Sequence, residues 1–189
     1  MTTPTTDQAH TPEQVSAAVE REDLIAALAH ARFYLRFTTR DLTDDQARIR
    51  TTASSFCLAG VIKHVTEVER GWAEFLVRGK AAMTNKAGQD FIDWTEDDFR
   101  ELRQTEEMGP NETLAQVLAE HERAAAATDR TIRALDSLET TRALPKAPWP
   151  MDEAWSARRA ILHILAETTQ HAGHADIIRE SLDGAKSMG

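Results

Sequence analysis

Two stretches of the chain carry side chains able to hold a metal ion. In one, Glu167 and His171 stand four residues apart within Ile161-Leu-His-Ile-Leu-Ala-Glu-Thr-Thr-Gln-His-Ala-Gly-His174. Residues four apart on an α-helix lie one above the other, so both side chains can reach a single ion. Ile164, Leu165, Ala172, Ala175 and Leu182 share one helical arc. His171 falls within that arc and Glu167 on its flank. A carboxylate there costs free energy unless it is paired, hydrogen-bonded or metal-bound. The other stretch offers His64, on the flank of an arc formed by Leu58, Val61, Ile62, Val65, Val68, Trp72, Phe75 and Leu76. Two imidazoles and one carboxylate leave coordination positions open for water and substrate. Zinc is the default ion because it needs no redox handling, and nickel, iron and manganese accept the same donors. His163 and His174 lie further from the core and read as groups that orient the ligands. Taken alone, a His64 on a helix flank is more often a hydrogen-bonded core or boundary histidine, and a Glu-x-x-x-His pair is often just a local ion pair.

Four long helices must position these residues. Leu24, Ile25, Leu28, Ala31, Leu35 and Leu42 recur at helical spacing, giving a first helix over about residues 20–41. Ahead of it, Thr11-Pro12-Glu13-Gln14 has the pattern of a helix start. Thr43-Asp44-Asp45-Gln46 is a capping box that opens a short turn. The second helix runs from Phe56 to Gly79, a residue suited to a helix end. Thr113 with Gln116 caps a third, reaching about Leu138, and Ser156 caps a fourth, stopped by Gly184. Residues 80–110 form an unusually long connection, with a short helical piece near Thr95 to Leu102. Its length would carry the chain across the bundle and let the second and third helices run parallel. Residues 140–154, with Pro145, Pro148 and Pro150, read as a loop. Residues 1–19 read as a disordered or partly helical tail, 20–184 as one bundle and 185–189 as a C-terminal tail.

Composition agrees with an all-α domain and narrows the function classes. The 189 residues are 41% hydrophobic and 28% charged, with only 8 glycines and 6 prolines. A net charge of −9 speaks against non-specific nucleic-acid binding. No apolar run approaches the roughly 20 residues of a membrane span. The first ten residues lack the basic and apolar regions of a signal peptide. The single cysteine, Cys57, rules out an internal disulfide. Both features suit a cytoplasmic setting. Cys57 stands two helical turns before His64, about 10 Å by helix rise, and so reads as a buried apolar residue rather than a ligand. Glu69 falls inside its helix's apolar arc and reads as the buried partner of an arginine. Trp72, Trp94, Trp149 and Trp155 read as core or loop anchors.

At Leu58 to Trp72 and at Ala160 to Glu180 the sequence resembles the DinB-like superfamily of metal-binding four-helix bundles, and within it the actinobacterial mini-circle proteins. The stretch Asp41-Leu-Thr-Asp-Asp-Gln-Ala47 adds a weaker likeness, and the whole resemblance spans about residues 20–184. It implies an up-down-down-up bundle with an ion held by His64, Glu167 and His171. Many members have a histidine where Glu167 stands. A glutamate there is similar to the branch of mycothiol-dependent maleylpyruvate isomerase, and related members transfer mycothiol or bacillithiol. A homodimer is also implied.

Three functions remain open at this point. The first is a thiol transferase or isomerase in which the ion binds a small thiol such as mycothiol and presents it to an electrophilic substrate, with His174 as the acid–base group. The second is a hydrolase in which the ion activates water. The third is a non-enzymatic small-molecule-binding or stress-response protein whose ion is structural.

Overall fold

The structure, a computed structural model, describes residues 12–104, 107–150 and 152–188. Its helices are α1 (Pro12–Phe37), α2 (Asp44–Ala47), α3 (Leu58–Arg78), α4 (Glu96–Gln104), α5 (Leu114–Ala134) and α6 (Ala157–Asp183). A small antiparallel ladder joins β1 (Thr141–Ala143) to β2 (Ala154–Ser156). The helix starts have the chemistry expected of them. Thr43 and Thr113 each form a capping box with the glutamine three residues on, and the Ser156 side chain accepts from the backbone of Arg159. Gly184 ends α6 at φ 79°, a left-handed conformation that glycine adopts without steric cost.

The ion pairs show which way each helix runs. At the start of α6, Arg158 reaches Glu20 near the start of α1 at 2.5 Å. At its end, Arg179 donates to the carbonyls of Thr38 and Arg40, both at 2.7 Å. Thus α1 and α6 are parallel. Lys63 pairs with Glu112 at 2.7 Å and Arg70 with Glu120, so α3 and α5 are also parallel. Arg133 at the end of α5 pairs with Glu22 near the start of α1 at 2.8 Å. Asp44, beyond the end of α1, accepts from the Leu114 amide that begins α5 at 2.7 Å. The two pairs are therefore antiparallel, which makes the bundle up-down-down-up, with residues 79–113 as the crossover.

Two large apolar clusters fill most of the interior, and a smaller one of Ala47, Ala59 and Leu114 lies beside α2. Leu28, Phe75, Leu76, Ile132, Ile161 and Ile164 belong to one large cluster, and Leu35, Leu58, Ile62, Val65, Val117 and Ile178 to the other. Between helices α1, α3 and α5, Arg32 is buried and grips Glu69 through two bonds of 3.1 and 2.5 Å, with a third to Asp129 at 2.8 Å. Glu69 is fully enclosed and has the arginine partner that its place in the apolar arc required.

Several boundaries differ from the sequence reading. The first helix begins at Pro12 and ends at Phe37, where the amides of Thr39 and Arg40 bond back three residues, to Arg36 and Phe37, in a tighter turn that Asp41 closes at φ 58°. Residues 1–11 of the expected tail lie outside the described residues. In the expected C-terminal tail, Ser187 donates its amide to Asp176 at 2.9 Å. The third helix stops at Ala134. The 140–154 loop is flanked by the β1–β2 ladder, whose three-residue strands are too short for alternation to mark. Cys57 is half-buried and packs against the apolar cluster of Ala47, Ala59 and Leu114, as expected of an apolar residue, but it has a second role. It is the N-cap of α3, and its sulfur accepts from the Gly60 amide at 3.4 Å.

Candidate metal centre

Helices α3 and α6 run antiparallel and bring His64 beside Glu167 and His171. One donor atom from each of the three lies within 4.8 Å of the others. The His64 and His171 rings are 4.5 Å apart between centroids. His171 Nε2 stands 3.6 Å from one Glu167 oxygen, and His163 Nε2 3.7 Å from the other. All three residues of the trio are half-buried, so donor atoms are shielded but not sealed from solvent. Along α6, His163, Glu167 and His171 occupy successive turns, which is what spacings of four produce.

The surroundings sort the remaining histidines. His163 packs edge-on against Trp72 and Trp155, at 4.8 and 5.1 Å. Burial pulls its pKa below the ordinary histidine value and Arg159 adds to this, while the Glu167 carboxylate works the other way. A neutral imidazole there can donate one N–H and accept at the other nitrogen. His174 sits beside the trio rather than in it, its ring 5.9 Å from that of His171. Phe56 contacts three of the histidine rings, His64, His171 and His174, at 5.3, 6.2 and 5.9 Å. Sequence reasoning missed Phe56, because an aromatic residue two positions before a helix carries no periodicity that would mark it. Phe56 and Cys57 also line a cavity of ≈ 480 Å³ into which Arg48, Arg50, Arg100 and Arg103 project.

His121 on α5 was also missed, since a lone histidine in an alanine-rich helix gives no signal. It is fully buried, with Nδ1 3.1 Å from the Thr66 hydroxyl. It belongs to the neighbourhood of Arg32 and Arg36, not to the trio.

A sequence model described as mycothiol S-transferase matches residues 23–184. The chain belongs to the mycothiol S-transferase family. The match runs from α1 through the last turn of α6 and so contains both helices of the candidate centre. This family is DinB-like, in agreement with the resemblance carried by the two histidine-bearing segments. Membership of the mycothiol S-transferase family supports a transferase-like function with a small-molecule thiol as substrate. Comparison with curated proteins and with solved structures finds no match. Among the described residues, no helix is long and apolar enough to cross a membrane.

Proposed function

We propose that this protein is a divalent-metal-dependent transferase acting on mycothiol, with His64, Glu167 and His171 as the metal ligands. The observation that carries this reading is the meeting of three donor atoms from α3 and α6 within 4.8 Å, in a chain of this family. The residues fit such an ion. Ligand atoms about 2.1 Å from a tetrahedral metal lie roughly 3.4 Å from one another. The 3.6 Å separation of Glu167 and His171 is close to that, and small side-chain rotations bring in the rest. Two imidazoles and a carboxylate suit zinc, which is our choice of ion. A bound divalent cation would lower the pKa of a coordinating thiol and present the thiolate as a nucleophile near neutral pH.

The chain's own side chains have separate tasks in this scheme. His64 and His171 supply neutral nitrogens, and Glu167 one negative charge. His163 faces the second Glu167 oxygen and holds the carboxylate in orientation. Phe56 covers one side of the histidine group and limits water there. His174, one step outward, is the acid–base residue.

The test is thiol consumption by zinc-loaded protein given mycothiol and a panel of electrophiles. His64→Ala should lose most of its bound zinc and nearly all turnover. His174→Gln should keep its zinc while kcat falls roughly a hundredfold, the usual contribution of a positioned acid–base group. Equal thiol consumption by wild type and His64→Ala would end this reading.

A further inference from the structure

A second cavity, of ≈ 470 Å³, lies beside the trio, on the His163 side of Glu167. Its walls include Trp72, Phe91, Trp149, Trp155 and His163. Three of the chain's four tryptophans are thus gathered around one space. The four aromatic walls come from separate segments: Trp72 from α3, Phe91 from the crossover, Trp149 from the β1–β2 connection and Trp155 from β2. Trp72 and Trp155 stack at 4.7 Å with planes only 14° apart. Trp149 completes the wall yet is 45% exposed. Its ring packs on Phe91 at 5.6 Å and Phe99 at 6.5 Å and forms part of the cavity wall, and small-molecule pockets are lined predominantly by apolar and aromatic side chains.

The cavity's charge is already balanced. Arg159 pairs with Asp152 at 2.6 Å and lies over the Trp155 ring at 4.6 Å. Asp152 also accepts from the Trp155 indole N–H at 2.7 Å. Among the described wall residues no unbalanced charge is left to select an anion or a cation, and flat apolar walls favour a flat apolar guest. The volume suits a molecule of one or two rings. His163 is a wall of this cavity and at the same time faces Glu167, so a guest here ends against the candidate metal centre.

We infer that this cavity binds an uncharged planar aromatic compound and brings it to the thiol as the electrophile. Its role as electrophile rests on the thiol-transfer reading, whereas its binding does not. With a chloroarene, the thiolate sulfur forms a bond to the ring carbon and the carbon–chlorine bond breaks. Chloride leaves with the electron pair, and the thiol proton passes to solvent.

The experiment uses the full chain and needs no turnover for its first arm. 2,4-Dinitroaniline, an uncharged and unreactive ring, is titrated while tryptophan fluorescence is followed. Saturable quenching is expected. Trp149→Leu should weaken binding about tenfold and Trp149→Phe, which keeps a ring, by less than about threefold. Trp149 is at the surface, so neither change endangers folding, and circular dichroism verifies that. Quenching that never saturates, or equal affinity in wild type and Trp149→Leu, overturns the proposal. In the second arm, Trp149→Leu should raise KM for 1-chloro-2,4-dinitrobenzene with mycothiol about tenfold. Trp149-dependent binding without thiol turnover upholds the cavity's ligand class and overturns thiol transfer. Thiol turnover with the same KM in both proteins overturns the cavity assignment and leaves thiol transfer standing.

Discussion

His121 and His171 show how differently one residue type behaves at two depths. His171 is half-buried beside a carboxylate and another imidazole, where it can meet a ligand from solvent. His121 is fully enclosed, and burial, with Arg36 and Arg32 adding repulsion, pushes its pKa down to about 3 from 6.5. It therefore stays neutral in the folded protein at any physiological pH. The unfolded chain takes up a proton near pH 6.5 that the folded chain refuses until about pH 3. Stability from this residue is complete above pH 6.5 and falls as pH drops through that window, by up to about 1.4 kcal/mol per pH unit. Urea unfolding midpoints measured between pH 7 and pH 4.5 should decline, and His121→Gln should flatten the decline. An unchanged slope in the variant would show that other groups govern it.

At the scale of elements, the caps decide where the helices begin. Thr113 accepts from the Gln116 amide while the Gln116 side chain returns to the Thr113 amide, and the Asp44 carboxylate takes the next amide, Leu114. Three donors at one helix start are satisfied in this way, two of them by the cap and one from a different helix. Thr113→Ala should cost about 1 kcal/mol, read as a lower urea midpoint with metal content unchanged, because α5 supplies no candidate ligand. The same chemistry made the α2, α5 and α6 starts legible from residue types alone. The β1–β2 ladder was not legible, because its strands are held by backbone pairing between segments ten residues apart and carry no side-chain period.

Across the whole molecule, the Arg32–Glu69–Asp129 cluster ties α1, α3 and α5 together inside the bundle. Burial opposes the Arg32 charge, but the Glu69 carboxylate and then Asp129 outweigh it and keep the guanidinium protonated. Arg32→Ala would strand Glu69 as a buried, uncompensated charge and should lower stability by about 3–5 kcal/mol. The double variant Arg32→Met with Glu69→Leu should recover most of that loss, and a double variant no more stable than the single one would refute the account. Local chemistry is what the sequence by itself determined. Helical period and caps identified the four long helices, and spacings of four put Glu167 and His171 on one face. Glu69's place in an apolar arc demanded a cationic partner. Which arginine answers that demand, and that His64 stands 4.5 Å from His171 rather than on another face of the bundle, were decided by the packing of α3 against α1 and α6. The same holds for Phe56 among the histidines and for the tryptophan cavity. Contacts between residues far apart in sequence depend on helix direction, crossing and rotation, and these follow from how all the apolar faces fit at once. No single stretch of chain contains that information, so the donors could be read one helix at a time, but the site they form could not.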